Sequence, residues 1–129
     1  MNILLDTHSV IWFITDDTKL PPASKKIIED SRNSCFVSIA TYWEMGIKYS
    51  LDRLDLKHPL EKIFEIIEES GFELLPITSA HILATSNLAF HHRDPFDRIL
   101  IGQALSEGMK ILSKDSQFEK YTPEIIWEK

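Results

Sequence analysis

What the chain lacks narrows its chemistry early. Its single cysteine, Cys35, leaves no partner for an intramolecular disulfide and no second sulfur for a zinc cluster. Four glycines provide neither a Gly-rich phosphate loop nor a nucleophile elbow for Ser-His-Asp catalysis. No apolar run approaches the ~20 residues that span a bilayer. The first apolar run is short, has no basic segment before it and meets an acid at Asp6. No signal peptide is therefore expected, and a cytoplasmic protein with no membrane partner follows. Base is not in excess either: 14 Lys and Arg face 20 Asp and Glu, a net charge of −6. That balance excludes a broadly basic nucleic-acid surface and a polybasic membrane patch.

What is present is enough for a packed core. Hydrophobic residues are 43% and charged residues 26% of 129, which points to one globular domain over residues 1–129 rather than a disordered chain. Short apolar runs at Met1–Leu5, Cys35–Ile39, Phe72–Ile77, Met109–Leu112 and Glu124–Trp127 read as strands. Cys35 sits in one of them as a small buried hydrophobe. Between the strands, helices are expected over Ser9–Ile14, from Pro22 to about Ser31, and from Ala40 to about Leu51. Others are expected over Pro59–Ser70 with Gly71 as stop, from a Thr78 cap to about Leu88, and over Pro95–Glu107 with Gly108 as stop. Alternating strands and helices mean an α/β fold, with a largely parallel sheet covered on both faces. In such sheets ligands gather beyond the carboxyl ends of the strands.

Acids stand at those ends. Asp6 directly follows the first strand, and Asp115 follows the Met109–Leu112 strand. Either alone could be an ordinary turn or helix-capping acid. Glu44 and Asp97 are less ordinary, because each lies on an apolar helical stripe: Ala40, Ile47 and Leu51 with Glu44, and Ile101 and Ala104 with Asp97. A carboxylate on a buried stripe is expensive unless paired or bound to a metal. Glu44 could pair with Lys48 one turn on, and Asp97 could be a first-turn acid behind an Asp94 cap. Taken together, four acids on one sheet edge would repel one another and raise their pKa values. A divalent cation relieves that conflict, and an all-oxygen donor set suits Mg²⁺ or Mn²⁺. Such a site serves phosphodiester hydrolysis.

With these residues in order, the sequence resembles the PIN-domain ribonucleases, and within them the VapC-type toxins of bacterial toxin–antitoxin pairs. The segments that carry the resemblance are Leu4-Leu5-Asp6-Thr7-His8 with Trp12, then Val37-Ser38-Ile39-Ala40 leading to Trp43-Glu44-Met45-Gly46-Ile47-Lys48. His92-Arg93-Asp94-Pro95-Phe96-Asp97-Arg98 with Gln103-Ala104, and Leu112-Ser113-Lys114-Asp115 with Phe118, complete the set. Each is weak alone, but four in order across nearly the whole chain are specific. The resemblance implies a three-layer α/β/α sandwich with Asp6, Glu44 and Asp97 as metal-coordinating acids and Asp115 as a more variable fourth. It implies a hydroxyl partner at Thr7, and another at Ser113 where the family more often has Thr. Asp94 matches a recurring acid, for which helix capping or a supporting role is favoured over direct ligation. The resemblance further implies a Mg²⁺- or Mn²⁺-dependent endoribonuclease, an RNA substrate, a homodimer and a cognate antitoxin that covers the site.

Other residues offer less. His8, His91 and His92 match no zinc spacing and read as solvated or hydrogen-bonded, with His8 a candidate substrate neighbour. Lys48, Arg53, Arg93 and Arg98 flank the acids in sequence and are candidate phosphate contacts, with exposed charges and local ion pairs the ordinary alternative. Trp12, Trp43 and Phe96 read as core rather than as base-stacking platforms. Two rival functions remain. One is an aspartyl-phosphate enzyme with Asp6 as nucleophile, as in haloacid dehalogenase-like phosphatases, although these carry an acid where this chain has His8. The other is a non-catalytic binding module on the same fold.

Overall fold

The computed structural model describes residues 1–121 and 123–128. Five strands form one sheet: β1 (Asn2–Leu5), β2 (Ser34–Ser38), β3 (Glu73–Leu75), β4 (Lys110–Leu112) and β5 (Ile125–Ile126). Their order is β3-β2-β1-β4-β5, and every neighbouring pair is parallel. From β1 the chain first moves outward to β2 and β3, then returns across β1 to β4 and β5. The crevice between β1 and β4 is therefore the switch point at which parallel sheets bind ligands.

Side-chain alternation along β1 builds the layers. Ile3 and Leu5 face one core with Cys35, Val37 and Leu112. Helices α1 (Thr7–Ile14), α2 (Pro22–Glu29) and α4 (Leu60–Glu69) close that face through Val10, Ile28, Ile63 and Ile67, and α3 (Ile39–Ser50) adds Met45. Leu4 and Ile111 face the other way, against Leu100, Ile101 and Ala104 of α6 (Pro95–Glu107) and against Phe118. The result is a three-layer α/β/α sandwich with a fully parallel sheet. No helix among the described residues is long and apolar enough to cross a membrane.

Local chemistry explains where the elements start and stop. Ser38 caps α3 by accepting from the Ala40 N–H, so Ile39 is helical rather than the end of a strand. Asp6 caps α1 by accepting from the Ser9 N–H, and the helix starts at Thr7, two residues earlier than the sequence pattern suggested. Gly108 ends α6 in the left-handed region at φ 67°, where a side chain would be strained. A short 3₁₀ turn, Ser116–Lys120, is capped by Asp115 and was not anticipated. The Cys35 thiol is buried, and burial pushes its pKa up to about 11, consistent with an inert apolar role. Trp43 corrects the sequence reading: it is 65% exposed, touching Phe96 edge-on, and does not belong to either core.

Helix α5 (Ser79–Ser86) packs on α6 at very close range. A Cβ at Gly102 would collide with Thr85 Oγ1 and stand 2.9 Å from the Thr85 backbone nitrogen. We therefore expect Gly102→Ala to destabilise the protein by about 1–3 kcal/mol, despite the better helix propensity of Ala. Thermal denaturation should show a Tm lower by roughly 3–12 °C.

Candidate metal-binding active site

Each candidate acid is held by a different piece of the carboxyl edge. Asp6 leaves β1 and is buried. Its Oδ1 accepts from the Ser9 N–H at 2.9 Å, and its Oδ2 accepts from the Ser113 hydroxyl at 2.7 Å. The Ser113 oxygen in turn accepts from the Asp115 N–H at 3.0 Å. One hydroxyl thus ties the end of β1 to the loop after β4. Glu44 is buried on α3, and its Oε1 accepts from the Thr7 hydroxyl at 2.7 Å. Because the Thr7 proton is committed there, Thr41 must donate in the 3.2 Å bond between the two hydroxyls. Thr41 is buried one turn before Glu44 and was missed in the sequence, where its place on the same helix face was the available signal. The other oxygen of Glu44 pairs with Lys48 Nζ at 2.8 Å, so the local ion pair weighed for this residue is present.

Asp97 lies in the first turn of α6, where the charges of four other acids reach it. Burial is the largest cause that pushes its carboxyl up to about 7, followed by the charges of Asp94, Asp115, Glu44 and Asp6. Burial also raises the Asp6 carboxyl, against the hydrogen bonds from Ser113 and Ser9. Asp94 is exposed and caps α6, accepting from the Phe96 and Asp97 N–H groups at 2.9 and 3.3 Å. Asp115 is exposed and accepts from the Gln117 N–H. Among the described residues, no three His, Cys, Asp or Glu side chains are drawn close enough to hold a cation ready-made. The donor set, carboxylate and hydroxyl oxygens around a buried acid, is of the kind that suits a hard divalent cation.

Clefts open on two sides. Glu44, Lys48, Arg53, Arg93, Asp94 and Phe96 line one of them. Asp6, His8, Trp12, Lys114, Asp115 and Ser116 line the other, with the His8 ring stacked on Trp12 at 5.6 Å. Arg98 is not available to a substrate, contrary to expectation. It is 6% exposed, and its guanidinium donates to the carbonyls of Thr85, Leu88, Ala89 and His92 and to the Tyr121 hydroxyl. The Phe90 ring covers it at 4.1 Å. Its work is to hold the segment between α5 and α6.

A family model for the PIN domain matches residues 3–122, and the chain belongs to the PIN-domain family. It is 23% identical to Ribonuclease VapC22 of Mycobacterium tuberculosis, over 97% of this chain and 98% of that protein. Among solved structures it is similar to VapBC2 from Rickettsia felis bound to a promoter DNA fragment (TM-score 0.74, 13% identity, 99% of this chain and 100% of that one). It is also similar to VapBC-5 from Mycobacterium tuberculosis, a member of the VapBC family of toxin–antitoxin systems (TM-score 0.59, 18% identity, 98% of each chain).

The raised Asp97 carboxyl has a consequence for stability. Between its ordinary value of 3.8 and about 7, the folded chain keeps a proton that the unfolded chain has released. The stability tied to this group is therefore greatest below about pH 4 and is lost as pH rises through about 7. Without divalent metal at about pH 8, Asp97→Asn should raise Tm by at least ~3 °C, a figure discounted for partial exposure. By about pH 5 the gain should shrink by more than half, since folded wild type then keeps its proton. Melting curves in EDTA at the two pH values check both the sign and the narrowing.

Proposed function

We propose that this protein is a metal-dependent endoribonuclease, the toxin of a toxin–antitoxin pair, which hydrolyses RNA phosphodiester bonds with Mg²⁺ or Mn²⁺. The observation that carries the reading is Asp97, a largely buried carboxyl pushed up to about 7 by burial and by four neighbouring acids. That placement is costly for an ionised carboxylate, and a bound cation would relieve the cost. Asp6, Glu44, Asp97 and Asp115 would hold it. When bound, the cation supplies a Lewis acid for the phosphoryl group and lowers the pKa of water for in-line attack.

The chain's own residues prepare that chemistry. Ser113 and the Ser9 N–H fix the Asp6 carboxylate, and Thr7, backed by Thr41, fixes one oxygen of Glu44. Lys48, Arg53 and Arg93 give the cleft beside Glu44 a positive wall for RNA phosphates. His8 and Lys114 stand in the cleft beside Asp6 and meet the strand on its other side. No protein nucleophile is used and no covalent intermediate forms. The named relatives support a cognate antitoxin as partner. A homodimer belongs to the same proposal, and exposed apolar side chains at Leu74, Ile82 and Leu83 offer surface for it.

The aspartyl-phosphate reading lacks its second acid, because His8 stands two residues after Asp6. Cleavage of total RNA in Mg²⁺ or Mn²⁺ tests the proposal. Wild type should cut and Asp6→Asn should be slower by at least ~100-fold with the fold intact, consistent with several kcal/mol of lost transition-state stabilisation. Excess EDTA should stop the reaction. Full activity in either case, or a trapped phosphate on Asp6, would falsify the metal-dependent mechanism.

A further inference from the structure

One buried polar atom beside the acids is left without a partner. His92 Nε2 is buried and makes no hydrogen bond among the described residues, yet it stands 3.5 Å from Asp97 Oδ2. The other ring nitrogen, Nδ1, is 2.9 Å from the Tyr121 hydroxyl. We propose that His92 is a positioning residue for Asp97, held by Tyr121 and Arg98 in the tautomer whose Nε2–H points at the Asp97 carboxylate. The proposal rests on the reading of Asp97 as a cation ligand.

Donor counting permits this tautomer. An arginine only donates, so in the 3.3 Å contact between Arg98 Nη1 and Tyr121 the hydroxyl oxygen is the acceptor. The Tyr121 proton is then free to go to Nδ1 of His92. A neutral imidazole that accepts at Nδ1 carries its hydrogen on Nε2. Arg98 also holds the carbonyl of His92 at 3.5 Å and that of Ala89 at 2.9 Å, so the guanidinium fixes both the backbone and the hydroxyl that orient the ring. At 3.5 Å the Nε2–H falls short of a charge-assisted bond, which closes to about 2.7–2.9 Å. A small movement of Asp97 toward a shared cation, with one oxygen ligating and Oδ2 taking the His92 hydrogen, would satisfy both groups. Neighbouring donors of this kind commonly change metal affinity by ~10–100-fold.

Calorimetric titration of the whole protein with Mn²⁺ alone, without RNA, tests this. His92→Phe keeps a planar ring but has no donor, and should weaken Mn²⁺ binding by ~10-fold or more. In His92→Gln the side-chain amide carries its N–H close to the place of Nε2, and affinity should return to within about 3-fold of wild type. Tyr121→Phe releases the tautomer and should have an intermediate effect. If Asp97→Asn weakens binding while His92→Phe does not, the positioning role is overturned and the metal reading stands. If Asp97→Asn leaves affinity unchanged, both fall. Long-range ¹H–¹⁵N spectra of the folded wild type read the tautomer directly and need no variant to fold. Hydrogen on Nε2 of His92 supports the proposal, and hydrogen on Nδ1 overturns it.

Discussion

Like charge gathered on one edge of the sheet is the constraint around which this site is arranged. Asp97 carries the repulsion of Asp94, Asp115, Glu44 and Asp6 on top of its own burial. A protein can resolve such a conflict by separating the acids, by neutralising them or by fixing them where they are. Here the restraints on the two buried acids are mostly neutral hydroxyls and a backbone N–H: Ser113 and Ser9 on Asp6, Thr7 on Glu44. Neutral donors set direction without removing charge, so the appetite for a cation survives. Lys48 is the exception. It meets a single oxygen of Glu44 and is itself about one-third exposed, so the acids deeper in the crevice stay uncompensated by it.

The sheet exists to place those restraints. Asp6 and Ser113 are 107 residues apart in sequence, yet they meet because β1 and β4 pair in parallel, with Leu5 opposite Leu112. That register sets Asp6 one residue past the end of one strand and Ser113 one residue past the other. Thr7 reaches Glu44 because the helices after β1 and β2 both rise from the same edge. The order β3-β2-β1-β4-β5 puts the first strand at the centre, so residues from both halves of the chain converge on it.

Much of this was legible. Apolar runs and Gly or Pro punctuation locate the five strands and six α-helices of the described residues, because each of those signals acts within a few residues. Errors fell where a cap or a surface decided the outcome. Asp6 reads as a strand-end acid with helix capping as its ordinary alternative; it does cap α1, and the helix starts at Thr7 rather than Ser9. Trp43 follows an apolar-looking pattern, yet it projects outward against Phe96 from α6, a contact that only the packing of α3 near α6 creates. Glu44 and Asp97 were visible because an acid on an apolar stripe breaks a local rule. Arg98 was misread for the opposite reason: an arginine beside a metal-site motif looks like a phosphate ligand. What consumes it is a set of carbonyls, from Thr85 to His92, that converge only when the segment between α5 and α6 folds back. Tyr121 left no signal, since a tyrosine near the chain's end has no spacing that ties it to His92.

The net charge of −6 then takes on a different meaning. An acidic protein repels RNA at long range, and the acids clustered on one edge repel it most where hydrolysis must occur. Lys48, Arg53 and Arg93 offer attraction on one flank of that edge, and Lys114 on the other. On the proposed function, the same cation that relieves Asp97 would also lift the local barrier to a phosphate entering the crevice. Substrate affinity and metal affinity would then be coupled through one cluster of charge. An acidic balance is therefore compatible with a nucleic-acid enzyme when its acids are gathered at the site and its few useful bases stand beside them.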